Sequence, residues 1–382
     1  MIYFDNAATT YPKPPAVLAA VVRGMERCGN PGRGGHPLSW QAARELWECR
    51  EAAAALFGLS APERVVLTPG CTASLNMALK GLLQEGGHAL CSDVEHNAVM
   101  RPLSALAAAG TAEFSVVETV VGDDEKTVEN FRRAITPETT VLCCTACSNV
   151  TGARLPVGAL GELCRRHNLA FVVDGAQGGG LMPLDMERDN VDFLCLPGHK
   201  GLYGPMGTGL LLCSDRYPLQ TVMEGGTGSR SLSLYPPEEL PDRLEPGTPN
   251  VPGFCGLRAG MEWVARQTPA ALLARERALT ARLSAGLSSF DDVRIHSAPL
   301  EAQGAPLLTF SVKGVPSEQV AQALSEQGVA VRGGYHCAPA AHAKIDTLET
   351  GAVRLSPSAF TDERQAEAFL KIFEQIDKKW LQ

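Results

Sequence analysis

The sequence predicts an α/β protein in which a large domain, built on a mainly parallel sheet sandwiched by helices, is followed by a smaller C-terminal α+β domain. Three observations predict it. The chain has 382 residues, which is roughly two domains at ~150 residues each. From about residue 15 to 215, helical stretches rich in Ala and Leu alternate with short apolar runs, the pattern of strand and helix units that build parallel sheets covered on both faces. A Gly/Pro/Ser-rich passage over 214–253 then interrupts that alternation, and a different order of elements follows it.

Residues 1–14 are expected to form an N-terminal segment packing with the small domain, and 15–250 the large domain. Strands of the large domain are predicted at Arg64–Thr68, Ala89–Ser92, Thr140–Cys144, Ala170–Asp174, Asp192–Cys195 and Gly209–Cys213. The long passage that follows contains Gly225-Gly-Thr-Gly-Ser-Arg230, Tyr235-Pro-Pro237 and Glu245-Pro-Gly-Thr-Pro-Asn250, and irregular stretches of this length are often functional. The small domain, 251–382, opens with a helical stretch over roughly 254–288 and a strand at Leu307–Val312. A helix at Ser317–Gly328, a strand at Val329–Arg332, a loop through Ala343 and a final helix near Asp362–Lys379 complete it.

Composition excludes several classes. Thirty-four basic against 42 acidic residues give a net charge of −8, and no block of Lys and Arg occurs, so a nucleic-acid surface is not expected. No apolar run approaches the ~18 residues that span a bilayer. Asp5 lies where a secretory signal would carry basic residues, so the expected location is the cytoplasm. Twelve cysteines in 382 residues fall far short of the ~8–10% of a secreted disulfide scaffold. They are expected to be free thiols, and the question is which of them reacts.

Three constellations carry chemistry. Val172-Val-Asp174-Gly-Ala-Gln177 is followed, 26 residues after the Asp, by Gly198-His199-Lys200. Both Asp174 and Lys200 follow short apolar strands, and ligands of α/β sheets bind outside the carboxyl ends of the strands. A lysine for a Schiff base and a carboxylate to hold a pyridine nitrogen protonated are the two groups that a pyridoxal phosphate site needs. The alternative is a helix-capping Asp174 and an exposed Lys200. Secondly, strand Val65–Leu67 runs through Thr68-Pro-Gly70-Cys71 into a helix beginning near Thr72; amides at a helix N-terminus and the Thr72 hydroxyl suit a phosphate, or an ordinary N-cap. Together, the two constellations favour the cofactor.

The third is Val331-Arg332-Gly-Gly-Tyr-His336-Cys337-Ala-Pro339. Gly333 and Gly334 allow a mobile or tightly turned backbone, and Arg332 and His336 could lower the Cys337 pKa or protonate a partner; a buried inert thiol is the alternative. Arg354, 17 residues on, offers a fork for a carboxylate, or a surface salt bridge. Cys143-Cys144-Thr-Ala-Cys147 contains a Cys-x-x-Cys but lies on a predicted buried strand without a second ligand pair, so no metal is assigned. Asn30-Pro-Gly-Arg33-Gly-Gly-His36 is not a dinucleotide fingerprint, since no strand precedes it.

These pieces occur in the order of a known family. The chain resembles the cysteine desulfurases, pyridoxal phosphate enzymes of the class V aminotransferase group, through Tyr3-Phe-Asp-Asn6-Ala7-Ala-Thr9, Arg33-Gly-Gly-His36, Gly70-Cys-Thr72 and Val94-Glu-His96-Asn97. Ser148-Asn149-Val-Thr-Gly152, Asp174-Gly-Ala-Gln177, Gly198-His199-Lys200, Gly225-Gly-Thr227, Glu245-Pro-Gly-Thr248-Pro-Asn250, Arg332-Gly-Gly-Tyr-His-Cys337 and Arg354-Leu-Ser356 continue it. The resemblance implies fold type I, with Lys200 as Schiff-base lysine, Asp174 at the pyridine nitrogen, His96 stacked on the ring and Gln177 on its phenolic oxygen. Thr72 and His199 are implied at the phosphate, with Thr248 reaching it from the second subunit of a homodimer, and Cys71 is implied among the cofactor-binding residues. Asn149 and Arg354, with Asn6 and Ala7 nearby, are implied to receive the substrate. The implied reaction takes sulfur from L-cysteine, giving alanine and a persulfide on Cys337 that passes to an acceptor protein or small thiol. Selenocysteine lyase, another C–S lyase or an aminotransferase of the same fold are the alternatives. The chain departs from the family pattern at Cys71 and Pro197, where further hydroxyl residues are common, and in Pro339-Ala-Ala-His342.

Overall fold

Apolar strands flanked by amphipathic helices need a sheet with both faces covered, and the computed structural model, which describes residues 1–32, 34–299 and 304–380, has one. After β1 (Ile2–Tyr3) come α1 (Pro15–Arg27), α2 (Pro37–Leu56), β2 (Val65–Thr68), α3 (Cys71–Leu83), β3 (His88–Ser92), α4 (Asn97–Ala108) and β4 (Glu113–Val117). Next are α5 (Asp124–Ala134), β5 (Thr139–Thr145), α6 (Val157–His167), β6 (Ala170–Asp174), β7 (Phe193–Pro197) and β8 (Gly209–Cys213). The second half holds α7 (Val251–Gln267), α8 (Pro269–Leu287), β9 (Val293–Ile295), β10 (Leu308–Val312), α9 (Ser317–Glu326), β11 (Val329–Ala330), α10 (Pro339–Lys344), β12 (Val353–Leu355) and α11 (Glu363–Trp380).

The main sheet has seven strands in the order β2-β8-β7-β6-β5-β3-β4. Only β8 runs against its neighbours, β2 and β7, so the sheet is mainly parallel, as the alternation predicts. Side-chain parity sorts each strand between two cores. In β6, Phe171 and Val173 join α2 and α6 on one face, while Ala170 and Val172 join α3 and α4 on the other. Where β8 begins, a Cβ on Gly209 would lie 2.5 Å from the Gly70 Cα. A bare backbone there is what lets the turn before α3 sit against the sheet.

A third core gathers Phe4, Leu283, Phe310, Val353, Phe369 and Phe373 around β12-β10-β9 and the parallel pair β1-β11. The latter pairs Ile2 with Val329 and Tyr3 with Ala330. Phe4 and Phe369 meet edge-on at 5.6 Å. By contrast, α7 places Phe254, Leu257 and Met261 in the core shared with α2.

Three local expectations are corrected. The helical stretch expected over 254–288 is two helices, because Thr268 takes φ +62° and caps α8 through its hydroxyl, with Pro269 as the first residue. The expected loop through Ala343 contains α10, again opened by a proline, Pro339. The strand expected to reach Arg332 ends at Ala330, and Arg332 instead bridges Arg354. Arg33 of the Gly-rich segment lies outside the described residues.

Candidate active site

The carboxyl ends of β2, β3, β5, β6 and β7 converge on a cavity of about 540 Å³. Each strand end contributes the residue that follows it: Thr72 after β2, His96 after β3, Asn149 after β5, Asp174 closing β6 and Lys200 after β7. Gln177 and His199 also line it. The sequence predicts this convergence, because parallel strands all end on one edge and their loops must meet there.

Asp174 is 1% exposed and accepts a hydrogen bond from the Ala176 amide at 2.9 Å. The Cys71 thiol donates to the same carboxylate oxygen at 3.4 Å and lies within 3.4 Å of the Cys195 carbonyl. The Cys71 side chain therefore faces the carboxylate, and burial raises its pKa. No side chain caps the N-terminus of α3, which leaves its first amides and the Thr72 hydroxyl as anion donors. His199 brings a buried Nδ1 without a partner, and burial holds its ring neutral, with a pKa lowered to about 4.

His96 is the N-cap of α4; its Nδ1 accepts from the Ala98 amide at 2.9 Å, which leaves the proton on Nε2. Burial, the largest cause, lowers its pKa, and the ring is a neutral plate on the cavity wall. The Lys200 amine is also pushed below its usual value, first by burial and then by Arg354. Gln177 donates to the Ala7 carbonyl at 3.1 Å. Asn6 and Ala7 line a smaller adjoining cavity of about 40 Å³ that Lys200 also touches. Asn6 is engaged on both ends, with the Ser356 carbonyl at 2.9 Å and the Tyr11 amide at 3.1 Å.

Arg354 is 3% exposed. It donates to the Asn149 carbonyl at 2.9 Å and reaches Asp5 at 3.3 Å, while its Nε has no partner. Burial lowers its pKa to about 10, so it remains a cation. A buried guanidinium with an open donor fits a carboxylate ligand. Asn149 in turn donates its amide to the His336 carbonyl at 2.7 Å.

Of the twelve cysteines, Cys337 alone is exposed. Burial pushes the Cys49, Cys147 and Cys213 thiols up to about 12, leaving them protonated and inert. His336 and Cys337 take φ +51° and +56°, and the Cys337 carbonyl accepts from the Asn97 amide, next to His96, at 2.7 Å. Thus, of the mobile or tightly turned backbone that the glycines allow, the structure has the tight one, a left-handed turn held by Asn97 and the cavity-lining Asn149. His336 is buried with both ring nitrogens engaged by other residues, and its pKa is lowered to about 3, first by burial. It supplies no proton at neutral pH. Thr248 does not line the Lys200 cavity; it borders a separate one of about 870 Å³ with Gly226 and Thr227.

Two residues escaped the sequence reading. The Lys13 amine donates to the Thr10 hydroxyl at 2.6 Å and to the His199 carbonyl at 2.8 Å, and burial lowers its pKa to about 8. Its setting between Pro12 and Pro14 was the available signal. Glu95, fully buried beside His96, accepts from Ser92 and, at 2.8 Å, from the Thr145 amide; burial, the largest cause, raises it to about 8. Its folded pKa thus exceeds the unfolded value of ~4.3. The folded state binds this proton more tightly, so stability falls as pH rises between those two values. Glu95→Gln is expected to flatten that fall, measured as urea midpoints from about pH 5 to pH 8.5; an unchanged slope would contradict the assignment. Among the described residues, no group of three or more His, Cys, Asp or Glu could hold a metal, and no helix is long and apolar enough to cross a membrane.

A cavity at strand ends, with a lysine, a buried aspartate and an uncapped helix N-terminus, defines a member of a cofactor-binding α/β class. Residues 2–369 match the model of the aminotransferase class-V family, and the chain belongs to that family. It is 30% identical to a probable cysteine desulfurase of Methanothermobacter thermautotrophicus, over 98% of this chain and 94% of that protein. It is 34% identical to a probable cysteine desulfurase of Pseudomonas aeruginosa, over 97% and 92%. The apo structure of a cysteine desulfurase from Thermococcus onnurineus superposes with a TM-score of 0.91 at 30% identity, covering 99% of this chain and 95% of that one.

Proposed function

We propose that the protein is a pyridoxal phosphate-dependent cysteine desulfurase that converts L-cysteine to L-alanine and receives the sulfur as a persulfide on Cys337. The observation that carries this reading is the position of the exposed Cys337, bonded through its own carbonyl and that of His336 to residues lining or flanking the Lys200 cavity.

The residues fit the cofactor. The unpartnered His199 Nδ1, the Thr72 hydroxyl and the uncapped α3 suit its phosphate, Asp174 its pyridine nitrogen, and the flat His96 its ring face. Bound there, pyridoxal phosphate supplies an aldehyde for amines and a ring that draws electrons from the substrate Cα. Arg354 holds the substrate carboxylate. The Lys200 amine, kept unprotonated more readily by its surroundings, takes the Cα proton. The Cys337 thiolate attacks the substrate sulfur, the S–Cβ bond breaks with its electron pair going to the carbon skeleton, and protons returned to carbon complete alanine. Thiol plus cysteine becomes persulfide plus alanine, with no outside oxidant. Acceptors are a partner protein or a small thiol.

The position of Thr248 away from its own chain's Lys200 supports a homodimer in which it serves the second subunit's site. Free thiols throughout support a cytoplasmic setting. The deciding experiment is mass spectrometry after incubation with L-cysteine. One added sulfur atom, mapped to Cys337, is expected; alanine release without sulfur on Cys337 would sink the reading.

A further inference from the structure

Two consecutive non-glycine residues in the left-handed region are strained, so something must hold His336 and Cys337 there. The Asn97 main-chain amide and the Asn149 side-chain amide take up both carbonyls. They do not fix the His336 side chain. That role falls to a buried chain of groups whose direction can be worked out.

The Arg332 carbonyl, 3.1 Å from His336 Nε2, can only accept, so Nε2 carries the proton. In a neutral ring Nδ1 is then an acceptor, and its partner at 3.1 Å, His342 Nε2, must donate. His342 Nδ1 is left to accept from the Thr347 hydroxyl at 2.7 Å. The two rings lie parallel, 10° apart with centroids at 5.3 Å, and His342 and Thr347 are 0% and 2% exposed. The direction requires both rings neutral. Burial, the largest cause, lowers His336 to about 3 and His342 to about 4; Arg332 and Arg354 facing His336, and His296 facing His342, act the same way.

We propose that His342 and Thr347 are positioning residues for sulfur transfer: through His336 they hold the left-handed turn that aims the Cys337 thiol at the substrate sulfur. The inference rests on the reading of Cys337 as sulfur acceptor. A one-ångström displacement of a reacting atom can cost about 100-fold, and these bonds oppose such a displacement of the turn. Neither residue touches the cofactor-lysine cavity.

The test uses the holoenzyme and the variants His342→Phe, Thr347→Val and Thr347→Ser. Rapid-quench mass spectrometry would follow sulfur arriving on Cys337. His342→Phe keeps a flat ring and loses both hydrogen bonds; Thr347→Val keeps the shape and loses one. Both are expected to slow sulfur transfer by about 10- to 100-fold, with KM for cysteine and the visible absorbance unchanged, while Thr347→Ser restores wild-type transfer. Amide hydrogen exchange of the peptide over 332–342 is expected to speed up in the first two variants only, with or without cofactor. Wild-type transfer and exchange in Thr347→Val overturn the inference, even if His342→Phe fails to fold. Loss of KM and transfer together, unrescued by Thr347→Ser, also overturns it in favour of general destabilisation. Cys337→Ala run alongside separates the two levels: wild-type turnover there removes the desulfurase reading itself.

Discussion

Lys200→Ala is expected to lose turnover by roughly 10³-fold or more, since the amine is both the attachment point and the base. The protein should still fold. Lys200 lines the cavity and belongs to none of the apolar cores, and burial already opposes its charge, so its removal leaves those cores intact. The measurement pairs alanine production with the absorbance spectrum. Wild-type protein should be yellow, with a band at the edge of the visible that borohydride abolishes. In Lys200→Ala the borohydride-reducible link to protein should be missing even where cofactor stays bound through Thr72, His199 and Asp174. Alanine production at the wild-type rate in this variant would remove Lys200 from the chemistry.

Cys337→Ala is expected to lower sulfur removal from cysteine by roughly 10³-fold, with the visible band and thermal stability unchanged because the side chain is exposed. No other thiol can substitute. The two cysteines that line the cavity are both buried with raised pKa values, Cys71 against Asp174 and Cys147 at about 12. Comparing cysteine with selenocysteine as substrate separates two enzymes of the same scaffold. Loss on cysteine with retention on selenocysteine would identify a selenocysteine lyase. Undiminished cysteine turnover would mean that Cys337 is not the sulfur acceptor.

What the sequence made legible follows from physical range. Strands β2, β3, β5, β6, β7 and β8 were readable because each is buried on both faces and so is nearly continuous in apolar residues. Strand β4 was not, since at the edge of the sheet Glu113, Ser115 and Val116 face water and no such run forms. The break before α8 and the start of α10 each carried a proline signal that the apolar pattern on either side obscured. In the site, residues at strand ends could be assigned from chain order, because parallel topology itself brings them together. The fixing of Cys337 could not be: its turn is held by Asn97 and Asn149, which lie far upstream and which tertiary folding alone brings to it. The position of Cys71 in the chain set its place beside the helix start but not the direction of its side chain, which points to the neighbouring strand end.

The pairing of Ile2 with Val329 gives the chain's own synthesis a particular order. Strand β1 is made long before its partner among the described residues, β11, which lies 327 residues later, and Phe4 belongs to a core whose other members come from α8 onward. The seven-stranded sheet can assemble while the N-terminal residues wait, since none of its strands depends on them. Thr9, Thr10 and Lys13 can meet the His199 carbonyl earlier. The small-domain part of the site is therefore completed late in synthesis: Arg354 and Cys337 take their places only once β12 and the turn after β11 have been made.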